Sequence, residues 1–231
     1  MTQHTAIITG AGGAIAGHIV KAFTRAGWKL GLVAYNEAEK TRLERDHDGM
    51  LTVQIDLVDE SKAREGMAEL QKRLGHVDAL LNIAGGFDMS GATETSSQQL
   101  EAQLDINFRT AFNATRAVLP GMLEAGKGFV LGVGADAALD GGASKGPYAA
   151  AKAALIAWLK SVHAEVASKG VNVAVMYPMG AVDTIGNREA MPDVDPASWI
   201  DPEELAATAL HLATRSPRGR MLEAKVFPPA A

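Results

Sequence analysis

The chain has 231 residues, 27 acidic and 22 basic side chains, a formal net charge of −5 and no cysteine. This length suits one generous domain with a full hydrophobic core. The mild acidity, without blocks of like charge, argues against nucleic-acid or membrane-surface binding and favours small-molecule partners. The absence of cysteine excludes disulfides, thiolate catalysis and Cys-ligated metals. Because the N-terminus carries no signal segment and no apolar run reaches the ~18 residues of a membrane-spanning helix, we expect a cytoplasmic protein.

Apolar strand patterns alternate with helical patterns along the whole chain. The strands are expected at residues 5–9, 29–35, 51–55, 78–82, 129–133, 171–177 and 221–227. The helices are expected at residues 14–26, 37–46, 61–74, 97–124, 148–168 and 202–213, the fourth with a kink near Asn107. Such alternation predicts an α/β fold in which a seven-stranded parallel sheet is covered by helices on both faces. We therefore expect a single doubly wound Rossmann domain over residues 1–231, with strand order 3-2-1-4-5-6-7 and ligands at the carboxyl ends of the strands.

A stretch rich in proline and aspartate, residues 179–199, separates the sixth strand from the last helix. Its pattern is too irregular for a core element. Long connections of this kind are commonly functional loops that sit on a rigid scaffold. We expect this stretch to form a substrate loop or lid.

A glycine-rich turn follows the first strand. Gly10, Gly12 and Gly13 lie between that strand and a helix that begins at Ala14. In a strand, glycine-rich turn and helix of this kind, backbone N–H groups and the helix N-terminus cradle a pyrophosphate. We therefore expect a dinucleotide to bind at the turn and at the first helical residues, Ala14 and Ile15.

Tyr148 and Lys152 open the fifth predicted helix after a loop of small residues. Residues four apart lie on the same face of a helix. An ammonium held there can lower the pKa of the phenol and position it as a proton donor or acceptor. A lone pair with this spacing is more often incidental in an amphipathic helix, so the other motifs decide its meaning.

Several motifs occur together in one order and spacing: Thr9-Gly10 with the glycines after it, Asn82-Ile83-Ala84-Gly85, Asn107, and Tyr148 with Lys152. In these motifs the chain resembles the short-chain dehydrogenase/reductase family over essentially its whole length. The resemblance implies an NAD(P)-dependent oxidoreductase with Tyr148 as proton donor. It also implies that Lys152 lowers the pKa of Tyr148 and binds the nicotinamide ribose, and that Asn107 supports Lys152 through a water. The alternative for Asn107 is a side chain that hydrogen-bonds its own helix at the kink.

Three positions depart from the family pattern. Ala14 and Ala16 stand where the family usually has glycines, and we expect a slightly displaced dinucleotide. Ala135 stands thirteen positions before Tyr148, where the family has its catalytic serine. The hydroxyl that usually polarises a carbonyl substrate is therefore missing. Ser144 is near enough to Tyr148 in sequence to replace it, and a loop or helix-cap role is the alternative.

Within the family, the segment from Ala135 to Gly141 is similar to that of dihydropteridine reductases, which also have alanine at this position. The similarity recurs at Val77-Asp78-Ala79, Ala84-Gly85-Gly86, Asn187-Arg188, Met191-Pro192, Asp195 and Ser198-Trp199. A quinonoid dihydropterin takes hydride into a conjugated ring and a proton onto nitrogen, so one acid, Tyr148, can suffice. We therefore expect reduction of such a substrate. The alternatives are a general alcohol or ketone dehydrogenase/reductase and a non-catalytic nucleotide-binding sensor.

The resemblance also implies the remaining site residues. Further cofactor contacts are expected at Tyr35, Asp56, Leu57, Asn82, Ala84, Gly85, Pro178 and Thr184. Substrate contacts are expected at Gly86, Ala135, Met179 and Trp199. Asp56 would accept a hydrogen bond from the adenine amino group, or would cap the following turn. Burial in the core accounts equally well for Met179 and Trp199.

The residues after the second strand bear on the choice of cofactor. Ala34, Tyr35 and Asn36 supply neither the acid that binds the ribose hydroxyls in NAD enzymes nor the base that binds the phosphate in NADP enzymes. With Glu37 close by and no arginine in the glycine-rich turn, we expect NADH. The six histidines show no metal-ligand spacing, and no metal is expected. In the family, the helices predicted at 97–124 and 148–168 pack against a partner subunit, which implies a homodimer or homotetramer.

Overall fold

A sheet of seven parallel strands forms the centre of the computed structural model, which describes residues 3–230. The strands are β1 Thr5–Thr9, β2 Lys29–Ala34, β3 Leu51–Gln54, β4 Ala79–Asn82, β5 Gly128–Val133, β6 Val171–Pro178 and β7 Glu223–Val226. Their order across the sheet is β3-β2-β1-β4-β5-β6-β7, and each neighbouring pair is parallel. The predicted doubly wound α/β fold and its strand order are confirmed.

Helices cover both faces of this sheet. In the described residues they are α1 Ala14–Arg25, α2 Glu37–Asp46, α3 Glu60–Leu74, α4 Ser97–Leu104, α5 Thr110–Ala125, α6 Ala137–Asp140, α7 Gly146–Val166, α8 Ile185–Ala190 and α9 Pro202–Ala213. Helices α1 and α9 pack on one face, and α3, α5 and α7 pack on the other. Because helices lie on both sides, the central strands are apolar without interruption, and all five residues of β1 are buried. Within residues 3–230, no helix combines the length and the apolar composition needed to cross a membrane.

The predicted kink near Asn107 is confirmed as one turn of π-helix, Asp105–Arg109, between α4 and α5. Such a turn inserts an extra residue into a helix and often marks a functional site. Asn107 is fully buried there. The regular helix begins at a capping box, in which the Ser96 hydroxyl accepts from the backbone N–H of Gln99 and the Gln99 side chain accepts from that of Ser96.

Two short helices, α6 and α8, lie outside the predicted elements. Helix α6 follows β5 directly, and α8 lies within residues 179–199. With four and six residues they are too short for apolar periodicity to show in a sequence. Each begins at a side-chain cap, Asp136 for α6 and Thr184 for α8. None of the residues of α8 is buried, in agreement with a segment that lies outside the core.

Candidate active site

The glycine-rich turn lies against the end of the neighbouring strand β4. The Thr9 hydroxyl accepts hydrogen bonds from the backbone N–H groups of Ile83 and Ala84, at 3.1 and 3.2 Å. Gly10 has a left-handed φ of +59°, and a Cβ there would lie 2.6 Å from the Cα of Ala84. Only glycine combines this conformation with this close approach. The carboxyl ends of β1 and β4 are thereby held together at one side of the site.

Helix α1 starts from this turn without a capping side chain, since its N-cap residue is Gly13. The backbone N–H of Gly13 is bonded to the carbonyl of Gly10 at 2.9 Å, which closes the turn. The first helical residues, Ala14 and Ile15, carry no acid. Uncapped N–H groups at a helix N-terminus attract an anion such as a pyrophosphate. Ala16 is buried in the core between α1 and the sheet, where a methyl group is accommodated.

Two residues of α2 that the sequence reasoning missed, Glu39 and Arg42, contact the glycine-rich turn. A Cβ at Gly12 would overlap the Glu39 carboxylate. That carboxylate also accepts from the backbone N–H of Tyr35 at 2.5 Å. The Arg42 guanidinium donates to the carbonyl of Gly12 at 2.7 Å and lies 3.7 Å from the Glu39 carboxylate. An acid and a base spaced i, i+3 on a helix just after the second strand were the available signal.

A cleft of about 600 Å³ opens beside this turn, at the ends of β2 and β3. It is lined by Tyr35, Asn36, Gln54, Ile55, Asp56, Lys62, Glu65 and Gly66. Asp56 accepts from the backbone N–H of Val58 at 3.1 Å, as the turn-cap alternative predicts, and lies 3.4 Å from the Lys62 ammonium. The side chain of Leu57, a predicted cofactor contact, is instead buried in the core.

Asn82, at the end of β4, is buried, and one of its two side-chain polar atoms has a hydrogen-bond partner in the described residues. Its amide nitrogen donates to the Thr115 hydroxyl of α5 at 3.0 Å. Its carbonyl oxygen has no hydrogen-bond partner within residues 3–230. A buried polar atom without a partner costs stability, and this oxygen can accept one further hydrogen bond.

Lys152 is buried on α7, and its ammonium donates to the carbonyl of Val133 at the end of β5, at 2.9 Å. Burial lowers the pKa of Lys152 to about 8. Among the described residues this carbonyl is its sole acceptor, although an ammonium can donate three bonds. A Cβ at Gly85 would lie 3.3 Å from the Lys152 nitrogen and 2.9 Å from the Asn107 oxygen. Only a residue without a Cβ therefore packs against these two side chains without displacing them.

Tyr148 lies one helical turn before Lys152, and the Lys152 nitrogen is 5.9 Å from the centre of its ring. Burial, and then the negative charge of Asp136, raise the pKa of Tyr148 to about 12. The direction of this pKa is therefore opposite to the lowering expected from Lys152, because burial and the neighbouring carboxylate both disfavour the charged phenolate. At neutral pH the phenol keeps its proton and is suited to donate it.

Asn107 binds the chain that follows β4. Its oxygen accepts from the backbone N–H of Gly86 at 3.1 Å, and its nitrogen donates to the carbonyl of Gly86 at 2.8 Å. The same nitrogen also donates to the carbonyl of Gln103, one turn earlier, at 3.2 Å. The side chain therefore does bond its own helix, as the alternative expected, but it also holds Gly86 in place. Its predicted link to Lys152 through a water stays a prediction.

The serine position of the family pattern is occupied by a buried methyl group. Ala135 follows β5, and its carbonyl accepts from the backbone N–H of Ala138 in α6. The next residue, Asp136, donates its backbone N–H to Pro178 at the end of β6 and caps α6 with its carboxylate. Ser144 is exposed with a left-handed φ of 59°, and its carbonyl accepts from the backbone N–H of Ser90.

The sequence reasoning missed an aromatic pair, Phe87 and Tyr148, which joins the loop after β4 to helix α7. The Phe87 ring meets the Tyr148 ring edge-on, with centroids 5.0 Å apart and planes at 89°. Phe87 is 55% exposed, and the Lys145 ammonium lies 6.0 Å from its ring centre. An aromatic residue directly after Gly85-Gly86 was the available signal, because large apolar side chains on the surface commonly mark binding sites.

The positions predicted on the lid have local roles in the structure. The Thr184 hydroxyl accepts from the backbone N–H of Asn187 and so caps α8. Met179 packs, partly buried, against the core beneath α3, α5 and α7, and Trp199 is buried. These placements agree with the packing alternative for both side chains. Arg188 forms a bidentate ion pair with Asp183, at 2.6 and 2.7 Å, which ties α8 to the segment before it.

Comparison with known proteins identifies the family. Residues 4–195 match the sequence profile described as short chain dehydrogenase. The chain belongs to this family. It is an oxidoreductase of the NAD(P)-dependent short-chain dehydrogenase/reductase type, as its motifs predicted.

Three similar proteins are 23 to 28% identical to the chain over the aligned residues. The chain is 28% identical over 228 residues to the glycine betaine reductase ATRR of Emericella nidulans, and these cover 94% of the chain but only 18% of that protein. It is 26% identical over 230 residues to an uncharacterized oxidoreductase of Staphylococcus aureus strain N315, covering 99% and 98% of the two chains. A crystal structure of gluconate 5-dehydrogenase from Burkholderia cenocepacia, in complex with NADP and tartrate, has a TM-score of 0.85 at 23% identity and covers 98% of this chain and 94% of its own. That likeness establishes the fold.

The residues at the carboxyl ends of β1, β4 and β5 fit the nicotinamide dinucleotide of such enzymes. Gly10 keeps the turn free of a side chain where the backbone approaches most closely. The uncapped start of α1 suits a pyrophosphate, and the spare donors of Lys152 suit ribose hydroxyls. The residues that would hold this group therefore lie together along one edge of the sheet, as expected for a doubly wound fold.

Proposed function

We propose that this protein is an NADH-dependent reductase of a quinonoid dihydropterin-like substrate, with Tyr148 as its proton donor. The observation that carries the proposal is a buried alanine, Ala135, at the serine position of the family, followed by Asp136, whose charge adds to burial in raising the pKa of Tyr148 to about 12. A carbonyl that accepts hydride develops alkoxide charge and needs several donors. A conjugated ring that takes a proton onto nitrogen needs one acid.

Each side chain of the site has a defined task in this reaction. A bound nicotinamide supplies the hydride. Lys152, anchored on the Val133 carbonyl, offers its remaining N–H donors to the ribose and orients it. Tyr148 holds its proton at neutral pH and releases it to the substrate nitrogen. The exposed ring of Phe87, edge-on to Tyr148, forms a flat apolar wall that suits a heterocycle.

Support for the pterin as substrate comes from the sequence similarity to dihydropteridine reductases. The segment from Ala135 to Gly141 forms the short connection that places Asp136 near Tyr148. The lid residues Asn187 and Arg188 hold α8 through the Val182 carbonyl and the Asp183 carboxylate. In this proposal the segment 179–199 covers the substrate.

NADH is proposed as the cofactor because the three residues at the end of β2 offer no cation to a 2′-phosphate. Ala34, Tyr35 and Asn36 carry no positive charge. The similar gluconate 5-dehydrogenase structure holds NADP, so the preference for NADH rests on the side chains of this chain alone.

A second candidate function is reduction of a simple carbonyl, or oxidation of an alcohol. It is favoured by the names of the relatives, a glycine betaine reductase and a gluconate 5-dehydrogenase. Ser144 would then supply the missing hydroxyl. Its exposure and left-handed backbone leave it without the buried setting that strengthens an oxyanion donor. The sensor alternative loses its basis, since the family is one of oxidoreductases and both Tyr148 and Lys152 are present.

The test is NADH oxidation by the purified protein with quinonoid dihydropterin, beside a panel of simple ketones. We expect pterin-dependent turnover that falls by about 10²- to 10⁴-fold in Tyr148→Phe, the range of a lost general acid. Tyr177→Phe, which removes a hydroxyl bonded to Glu223, serves as the matched control. No pterin-dependent oxidation at saturating NADH would refute the proposal, and ketone turnover that Ser144→Ala abolishes would establish the second candidate.

Assembly and location stay predictions. They are a homodimer or homotetramer through α4, α5 and α7, and a cytoplasmic protein. Sedimentation of the purified chain measures the first directly.

A further inference from the structure

The geometry points to Glu39 and Arg42 as the residues that decide whether this protein accepts a 2′-hydroxyl or a 2′-phosphate on its dinucleotide. The inference rests on the proposed preference for NADH and gives that preference a structural cause. It is independent of the substrate, because it concerns only the adenosine half of the dinucleotide.

The Glu39 carboxylate lies between two parts of the predicted cofactor site. On one side it lies against the Cα of Gly12, in the turn that would hold the pyrophosphate. On the other it accepts from the backbone N–H of Tyr35, at the end of β2. Its side chain is only 18% exposed, so the carboxylate belongs to the wall of the site. In dinucleotide-binding folds, an acid beyond the glycine-rich turn accepts a hydrogen bond from the ribose 2′-hydroxyl.

This placement makes the carboxylate a barrier to a 2′-phosphate. A phosphate monoester carries a charge of about −1.5 to −2 at pH 7. Two like charges at a partly buried site repel each other strongly, because little water screens them. The acid that sequence reasoning sought at Ala34, Tyr35 or Asn36 is thus supplied from the first turn of α2, three residues beyond.

Without Glu39 beside it, Arg42 is the cation that would bind a phosphate at this turn. Its guanidinium donates to the Gly12 carbonyl at 2.7 Å and lies 3.7 Å from the Glu39 carboxylate. With Glu39 ionised, the positive charge of Arg42 is partly neutralised at the turn. With Glu39 neutral, Arg42 presents an unopposed guanidinium, the group best matched to a phosphate. Glu39 therefore weakens the attraction between Arg42 and a 2′-phosphate, and the two residues together select between the two dinucleotides.

The experiment measures the dissociation constants of NADH and NADPH by calorimetry, since these dinucleotides differ only in the 2′-phosphate. Full-length protein carries Glu39→Gln, which keeps an oxygen to accept from the Tyr35 N–H while removing the charge. A second protein carries Glu39→Gln with Arg42→Gln. The matched control is Glu44→Gln, which removes the same charge from the same helix but from a residue 3.8 Å from Lys40.

We expect the wild-type protein to bind NADH at least about 10-fold more tightly than NADPH, and Glu39→Gln to reduce that ratio to about threefold or reverse it. Adding Arg42→Gln should weaken NADPH again by about 10-fold, whereas Glu44→Gln should keep the wild-type ratio.

The inference is overturned if Glu39→Gln leaves the ratio unchanged, or if Glu44→Gln shifts it equally, which would indicate a bulk charge effect. A wild-type preference for NADPH would overturn it together with the proposed use of NADH. Failure of the pterin assay alone leaves the binding ratio, and hence the inference, intact.

Discussion

The side-chain nitrogen of Lys152 lies 2.9 Å from the carbonyl oxygen of Val133, so the cation of α7 is fastened to the end of β5. This bond carries the lysine from the helix into the interior of the site, where water is excluded. Burial in this interior lowers the pKa of Lys152 to about 8, while the bond to Val133 keeps the ammonium in place without a carboxylate partner in the described residues. The geometry of the site thus has a cost in stability.

Because of this cost, we expect Lys152→Met to raise the free energy of unfolding, and we expect the gain to shrink as the pH rises. The unfolded chain has the ordinary lysine pKa of 10.5, above the folded value of about 8, so the unfolded state binds more protons between these values. The free energy of unfolding of the wild-type protein should therefore rise with pH across this window, by on the order of 2 to 3 kcal/mol. Lys152→Met should lack this rise. Urea unfolding at several pH values from 7 to about 10 measures the difference.

Lys160→Met is the control for that measurement, because Lys160 is an exposed lysine on the same helix. It should follow the wild-type pH dependence. If Lys152→Met and the wild-type protein showed parallel curves, the buried ammonium would not be the titrating group.

Asp136→Asn should lower the pKa of Tyr148. The carboxylate is the second cause of the raised value, after burial, so the pKa should fall from about 12 but stay above the ordinary 10. The amide oxygen of the substituted side chain can still accept from the backbone N–H of Ala137, which preserves the start of α6. Absorbance titration of the phenolate, with Tyr148→Phe to assign the signal, measures the shift. Asp140→Asn, on the exposed end of α6, should leave the titration unchanged.

Asn107→Ala should destabilise the protein and reduce turnover together. It leaves the N–H and carbonyl of Gly86 without their partners, and because these groups are only partly buried each should cost less than a fully buried group, for which the cost is about 1 to 3 kcal/mol. Denaturant unfolding measures the first effect and steady-state kinetics the second. Asn107→Asp, which sets a buried carboxylate oxygen against the carbonyls of Gly86 and Gln103, should destabilise the protein at least as much as Asn107→Ala. Wild-type stability in Asn107→Ala would show that the contacts to Gly86 carry no weight.

Ala135→Ser should raise the rate of ketone reduction. The added hydroxyl stands at the end of β5, where the family has its second donor, and one such donor is worth about 100-fold or more in rate. Rates with the ketone panel measure the gain, and Ala138→Ser on α6 is the control. Unchanged ketone rates would mean that the missing hydroxyl does not limit carbonyl chemistry here.

Much of the site could be predicted because its residues lie next to strand ends. Gly10 follows β1, Gly85 follows β4 and Ala135 follows β5, and parallel strands bring their carboxyl ends to one edge. The π-turn at Asn107 was also foreseeable, from an asparagine in the interior of a long helix. The parts missed depend on contacts between elements distant in sequence, such as Glu39 against Gly12 and Phe87 against Tyr148.

By itself, the sequence determined the alternation of strands and helices, the dinucleotide turn and the spacing of Tyr148 and Lys152, and the strand order is the one expected of a doubly wound fold with this alternation. Only the tertiary structure decided in which direction the pKa of Tyr148 is shifted. Spacing alone suggested that Lys152 would lower the pKa of Tyr148, yet burial and the charge of Asp136 raise it. The approach of Glu39 to the turn was likewise invisible along the chain. Both outcomes depend on desolvation and on distances across the fold, which local sequence does not encode.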